Sequence, residues 1–365
     1  MAASGRFSLC EVCGKRQGSQ ANFVAGRGRD CFICHGLLSN SADLGQKVIR
    51  RLRGYQFKTF SIGVIIPGGM QEREDQLRSD FQIRGRETAK SQMSKEIATF
   101  VKRLTRKRID RRYPDLTILV DLERGAIIPM ARSVFVYGRY TKPPNLSQRR
   151  ELCDICRGRG CGECQSGYKK APSVEQVLEN RLGRVLHSKK AKFTWLGSED
   201  PNSVVFAPGR PFVAEFKNPV KRQVPSRFSL RTGRGLVRAV GVKVLKGRPT
   251  SIPSFTFKTR VFIMPEQPLR EIPTGLMNAL KAEPIQFRNN KGKLVQKRVY
   301  DARIEKRGAR LVAEIKLDGG LPVKRLVSGG SVSLSLAGLL GTPLDCQRFD
   351  ILRVWESGSF KFGKI

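Results

Sequence analysis

The sequence predicts an α+β protein in which a basic α/β module precedes a larger, sheet-rich half. Three observations carry that prediction. An alternating, β-branched run at 55–66, YQFKTFSIGVII, is followed by a helical pattern at 88–107. From residue 173 onward, long strand-like runs separated by Gly and Pro dominate. A block of paired cysteines stands ahead of each half. The 365 residues suffice for two or three domains with a sizeable core.

Residues 1–42 read as a zinc-binding knuckle of the zinc-ribbon kind. SLCEVCGKRQ and GRDCFICHGLL each set two thiols two residues apart: Cys10 with Cys13, and Cys31 with Cys34. Thiolates so spaced, brought together by tight turns, can surround one ion at ~2.3 Å. His35, directly after Cys34, is expected to face solvent rather than ligate.

Residues 43–148 read as the α/β module. The strand at 55–66 is expected to lead into a charged loop, QEREDQLRSDFQI, and then a helix over TAKSQMSKEIATFVKRLTRK. In that helix Ile97, Phe100, Val101 and Leu104 share one face, and Lys95, Lys102, Arg103 and Arg106 surround the rest. DLTILVDLERGAIIPMARSVFVYGRY adds two strands. A basic module of this pattern resembles the THUMP class of RNA-binding domains.

Residues 149–172 hold the second cysteine block, CDICRGRGCGECQSGYKK. Its Cys153, Cys156, Cys161 and Cys164 again form a complete four-thiolate set. Four thiolates around Zn²⁺ carry a formal −2, which Arg157, Arg159, Lys169 and Lys170 would offset. Two structural zinc sites are therefore expected, and neither has the open position of a catalytic zinc. The ninth cysteine, Cys346, reads as a small buried residue.

Residues 173–365 are the sheet-rich half. SVEQVLENRLGRVL predicts a helix, and FTWLG, SVVFA, PFVAEF, LVRAVGVKVLKG and FTFKTRVFIM predict strands. The stretch GRPF, Gly209 to Phe212, reads as a tight basic turn feeding a strand.

Lys plus Arg is 69 and Asp plus Glu is 31, a formal charge of +38. That charge, spread along the whole length, predicts a folded body gripping a polyanion, foremost a nucleic acid. No apolar run approaches the ~20 residues of a membrane span. Arg6 and Cys10 interrupt any signal-like opening, so a cytoplasmic, reducing setting is expected and disulfides are not. There is no phosphate-binding GxxxxGK[ST] loop and no dinucleotide fingerprint, so no nucleotide or other organic cofactor is expected. With two histidines, His35 and His187, triads built on histidine are nearly excluded. A carboxylate is what chemistry has left. Asp200, in GSEDPNSVVFAPGRPF, sits in a turn between apolar strands. It reads either as a turn residue capping its own loop or as an acid held ready in a basic surround.

That same stretch resembles the signature of the Pus-ten family, the archaeal-type tRNA pseudouridine synthases, whose pattern is approximately GREDxDxRxLGxGRPF. YQFKTFSIGVIIP, EREDQLRSDFQI, SVFVYGRY, the CxxCxGxGCxxC block and DGGLPVKRLVSG resemble further family segments in the same order. The resemblance implies an N-terminal zinc-binding and THUMP-like RNA-binding region, followed by a mixed-sheet pseudouridine synthase domain. It implies isomerisation of uridine in the TΨC arm of tRNA, at position 55 with 54 as the second candidate. Asp200 falls on the family's catalytic aspartate. Phe257 falls on a ring residue that would floor the uracil, Lys324 on a basic residue beside the acid, and Arg210 on the arginine of GRPF. The chain departs from the family at Ser198, in place of Arg, at Phe257, in place of Tyr, and at Pro322, in place of an aromatic residue. The expected partner is tRNA, bound by a monomer without a membrane. The rival reading is a zinc-containing tRNA-binding protein whose catalytic core has decayed.

Overall fold

The alternating run at 55–66 folds as strand Thr59–Ile65, one of the two inner strands of a four-stranded sheet. The computed structural model describes residues 7–18, 24–25, 28–289 and 292–363. The chain divides into two compact units, Met1–Ser133 with Asn218–Arg222, and Val134–Lys217 with Gln223–Lys364. The boundary expected at residue 148 put the strand at 134–142 in the first module; it lies in the second unit.

In the first unit the sheet runs Arg108–Ile109, Thr59–Ile65, Leu116–Asp121, Ala126–Ala131. Thr59–Ile65 is parallel to both neighbours, and the last two strands form an antiparallel hairpin. Helix Ala89–Thr105 crosses over between the parallel strands, its first turn capped by the Thr88 hydroxyl, which accepts from Ser91 N at 3.2 Å. Its buried stripe is Ala89, Met93, Ile97 and Val101, an i, i+4 row. Ile97 and Val101 are buried as expected, while Phe100 is only half-buried and Leu104 is 49 % exposed, so the core-facing stripe is rotated from the one expected.

The segment expected to be a charged loop is instead helix Gly68–Asp80. Its buried positions are Met70, Glu74 and Leu77, an i, i+4, i+7 row. The middle member is an acid, which erased the apolar period that would have announced the helix. Glu74 is 2 % exposed and survives burial because it is fully partnered. It pairs with Arg16 and accepts from Gln17 Nε2 at 3.1 Å and from Ala89 N at 2.9 Å. That network ties the cysteine-bearing helix Glu11–Gln17 to the α/β module.

The second unit is built on a nine-stranded mixed sheet. Its order is Arg227–Thr232, Gly235–Val244, Val134–Lys142, Val205–Phe216, Leu344–Ser357, Ser254–Pro265, Arg310–Asp318, Val299–Arg307, with Ala191–Trp195 also on Val205–Phe216. Every pairing is antiparallel except one. Leu344–Ser357 meets Val205–Phe216 in parallel, at the single register pair Ile351 and Val205. Two antiparallel half-sheets are thus joined at a narrow seam. Helix Val174–Leu186, capped by the Ser173 hydroxyl on Gln176 N at 3.2 Å, buries Leu178, Leu182 and Leu186 in the main core. Leu276, Leu280, Leu326, Val327 and Leu336, from three short helices, join the same core.

Two expectations change here. SVFVYGRY, grouped by sequence with the strands before it, pairs instead with residues 205–216 and 235–244, partners that local pattern cannot name. GRPF is no turn: Arg210, Pro211 and Phe212 pair in register with Tyr140, Arg139 and Gly138 inside a 12-residue strand. Gly209, at φ 91°, makes the irregularity. A Cβ there would sit 2.7 Å from the Tyr140 carbonyl oxygen, so only glycine lets the strands approach.

Candidate active site and metal centres

Residues 196–204 loop between strands Ala191–Trp195 and Val205–Phe216, and the loop's two acids point different ways. The Glu199 side chain is fully buried. Its Oε2 accepts from Tyr140 Oη and from Arg210 Nη1, each at 3.0 Å, and its Oε1 lies 4.0 Å from Lys142 Nζ. Arg210 also donates to the Leu196 carbonyl at 2.9 Å, and Gln148 donates to Tyr140 Oη at 2.8 Å. Lys142, itself fully buried, donates to the carbonyls of Asp200 at 3.3 Å, Pro201 at 2.9 Å and Ser203 at 2.5 Å. The loop is therefore clamped from beneath by one ammonium and one guanidinium, with the Glu199 carboxylate between them.

Asp200 stands on the outer side of that clamp, its side chain 11 % exposed. Oδ1 accepts from Asn202 N at 3.1 Å, the local turn bond its sequence suggested. Oδ2 is 2.5 Å from Lys324 Nζ. Lys324 lies in the first turn of helix Val323–Ser328, just after the Arg310–Asp318 strand turns through Gly319 and Gly320. Gly319 N donates to the Phe255 carbonyl at 2.6 Å, and a Cβ at Gly319 would fall 2.8 Å from the Phe257 ring. Glycine there lets the Lys324 turn close down on strand Ser254–Pro265.

Phe257 is 4 % exposed, and the Arg210 guanidinium carbon lies 5.3 Å from its ring centroid. Contacts thus run from Phe257 to Arg210 to Glu199, then along the chain to Asp200 and on to Lys324. The four residues singled out by sequence converge. Two of them, Arg210 at 3 % exposure and Phe257, are buried beneath the loop rather than open to a ligand. Sequence reasoning missed Lys142, Tyr140 and the inward role of Glu199. The signal existed: in VFVYGRYTK, Lys142 shares the alternation of Val134, Val136 and Tyr140, all buried.

The titration behaviour follows from these contacts. Burial pushes the Asp200 carboxyl up. The hydrogen bond from Lys324, the Asn202 amide and the two nearby ammonium charges outweigh it, leaving Asp200 below its ordinary 3.8. Lys324 is raised, chiefly by its bond to Asp200. Burial lowers Lys142 to about 8, against the opposing pull of Glu199 and Asp200. Burial likewise holds the Tyr140 phenol well above 10.0. An open groove of about 570 Å³, lined by Lys258, Arg260, Glu314, Lys316, Arg353 and Trp355 among others, is not part of this cluster. Lys258 and Arg353 pair on the sheet face opposite to Phe257 and Val354.

Each cysteine block closes into a cage. Cys10, Cys13, Cys31 and Cys34 bring their sulfurs within 4.8 Å of one another, and so do Cys153, Cys156, Cys161 and Cys164. The separations of 3.6 Å for Cys10–Cys34, 3.5 Å for Cys156–Cys164 and 4.0 Å for Cys153–Cys161 bracket the ~3.8 Å edge of a tetrahedron with 2.3 Å metal–sulfur bonds. Arg16 Nη2 lies 3.5 Å from Cys13 Sγ, and the amides of Gly160 and Gly167 donate to Cys156 and Cys164 at 3.2 Å, as thiolates require. Both groups can hold a metal ion. His35 is exposed and bonds the Arg29 carbonyl, outside the first cage. Lys169, expected to offset the second cage, is bound to Asp154 and Glu151.

Comparison with known proteins gives this arrangement a family. Residues 44–121 match the archaeal Pus10 THUMP domain, and residues 135–242 match the Pus10 C-terminal domain. The tRNA pseudouridine synthase Pus10 of Archaeoglobus fulgidus is 30 % identical over 346 residues, which cover 89 % of this chain and 94 % of the relative. That of Cenarchaeum symbiosum is 29 % identical over 360 residues, 94 % of this chain and 89 % of the relative. That of Nitrosopumilus maritimus is 28 % identical over 323 residues, 88 % and 84 %. This chain belongs to the Pus10 family of tRNA pseudouridine synthases.

Proposed function

We propose that the protein isomerises uridine to pseudouridine in the TΨC arm of tRNA, at position 55 with position 54 as a second target, and that Asp200 is the nucleophile. The observation that supports this reading is the division of labour inside one loop. Glu199 is buried below and paired with Arg210, while Asp200, its neighbour, is kept ionised above by Lys324.

The reaction conserves every atom. The bond from ribose C1′ to N1 breaks and a bond from C1′ to C5 forms; the hydrogen on C5 leaves and N1 gains one. No oxidant or energy source is consumed. What the step demands is a fixed anionic oxygen at the ribose–base junction and a base free to turn. The uridine must first leave its stack, at a cost of a few kcal/mol that phosphate contacts offset. In this reading Lys324 aims and ionises the acid. Phe257 carries Arg210, and together they make the buried floor that holds up the loop, so they position Asp200 rather than touch the uracil. With no hydroxyl at Phe257, that ring takes no part in proton transfer. The reading is tested by mapping pseudouridine on an unmodified tRNA transcript: product at 55, or at 54 and 55, is expected. Binding without product at either position would favour the decayed-core alternative.

The same clamp sets a pH dependence. Asp200 is active as the anion and its pKa is depressed, so the acid limb lies below the ordinary 3.8. Deprotonation of Lys142 leaves two N–H donors for three carbonyls and removes the ammonium beside Glu199, so the loop's hold weakens and activity falls as pH rises through about 8. Single-turnover rates should stay level from about pH 5 to 7 and fall on an alkaline limb near 8. A rate still climbing through that range would contradict this role for Lys142.

Both cages are inferred to hold zinc, as structural ions with complete thiolate sets. Metal analysis of the purified protein should give about two zinc ions per chain. Cys31→Ser and Cys156→Ser should each remove one equivalent. A protein with full zinc content after either substitution would remove that block from the assignment.

A further inference from the structure

We propose that the outer face of the hairpin Arg227–Thr232 and Gly235–Val244 is a second RNA contact, a ladder of arginines that grips tRNA phosphates outside the catalytic pocket. The evidence begins with charge. Between Glu215 and Glu266 the chain has no acidic residue but twelve Lys or Arg. The hairpin is rigid, because it forms the edge of the large sheet and its inner residues Val237 and Ala239 lie in the main core.

Register then orders the cations. Arg227 pairs with Val240, Ser229 with Arg238, and Arg231 with Leu236. Paired residues share a face, so Arg238 lies on the neighbouring strand midway between Arg227 and Arg231. Two-residue steps separate the three positions by ~7 Å along the strand direction. That is a repeat suited to the successive phosphates of a polynucleotide. All three side chains are exposed, and none has a hydrogen bond, ion pair or ring partner among the described residues. The contrast is with Arg139, on the adjoining strand, which is tied to Glu356 at 3.1 Å and to the Val354 carbonyl at 3.0 Å. Guanidinium groups suit bidentate phosphate contacts better than ammonium groups do.

The ladder also lies apart from the catalytic cluster. Arg238 pairs with Thr141, whose neighbours Tyr140 and Lys142 point to the opposite face and the Glu199 clamp. It should therefore govern tRNA affinity and not the chemical step. A plainer role is available to charges on an edge strand, namely preventing edge-to-edge association of two copies. The experiment separates the two.

The triple variant Arg227→Gln, Arg231→Gln, Arg238→Gln is compared with a triple of equal charge change, Lys281→Gln, Arg303→Gln, Arg310→Gln, at exposed positions elsewhere in the same unit. Dissociation constants for a tRNA transcript are measured across a salt series, with size-exclusion chromatography of each protein. The ladder triple should weaken binding at least about tenfold and flatten the salt slope by two to three units, while the rate at saturating tRNA is unchanged. The control should shift affinity by less than about threefold. Equal losses in the two triples would mean that only net charge matters, and would overturn the ladder. So would a ladder triple that self-associates while binding tRNA normally. Because affinity is read directly, failure here is distinct from failure of the Asp200 assignment, which would appear as lost turnover with binding intact.

Discussion

Asp200→Asn should lower the single-turnover rate on an unmodified tRNA transcript by about 10⁴-fold or more while leaving tRNA affinity nearly unchanged. The substitution is chosen for its shape. Asparagine keeps a side-chain oxygen for the Asn202 amide, now 3.1 Å from Asp200 Oδ1, so the turn should persist. What it removes is the negative charge that Lys324 faces at 2.5 Å. Lys324 is 55 % exposed at its side chain, so its released ammonium rehydrates and folding stability should change little. A structural role for Asp200 predicts the reverse pattern, with a modest loss of rate accompanied by a loss of stability. Turnover within about tenfold of the parent protein would reject Asp200 as the nucleophile.

Lys142→Met should have the largest effect on stability, about 3–5 kcal/mol, read by chemical denaturation. Methionine roughly fills the volume but donates nothing. The carbonyls of Asp200, Pro201 and Ser203 lose their shared donor, and Glu199 keeps only Arg210 and Tyr140 against a full burial. The charge imbalance, rather than the lost bonds alone, makes the cost large. Lys142→Met combined with Glu199→Gln should therefore recover part of the stability, a positive coupling between two residues in one network. The double variant should still turn over slowly, because the loop that carries Asp200 has lost its three anchors. A single variant within about 1 kcal/mol of the parent protein would show that the clamp does not hold the loop.

The strand at 59–65, the helices at 89–105 and 174–186, and both cysteine cages were legible because each is encoded locally, by alternation, capping or paired spacing. Helix Gly68–Asp80 was not, because a single buried acid interrupts its apolar row and its justification lies far away at Arg16. The in-register course of GRPF was hidden for a related reason. Gly and Pro announce a turn by composition, and only the neighbouring Tyr140 strand shows that the glycine serves a close approach. Within the site, resemblance marked Asp200, Lys324, Phe257 and Arg210. It did not mark Lys142, which lies 58 residues before Asp200 and meets it only through the pairing of strands 134–142 and 205–216. The candidate residues on the surface of the loop were readable; the support below it required the tertiary pairing.

The seam at Ile351 and Val205 bears on how the two half-sheets are held together. A wide antiparallel sheet resists bending across its strands because every neighbour is stitched by many bonds. Here one crossing has a single register pair, next to the Asp200 loop, with the Val204 amide on Asp350 at 2.9 Å and Arg139 on the Val354 carbonyl at 3.0 Å and on Glu356 at 3.1 Å completing the joint. The two half-sheets are therefore held in place more by side-chain links and a shared core than by backbone bonds. The proposed pairing of Asp200 on one half with Lys324 on the other is thus set by that joint.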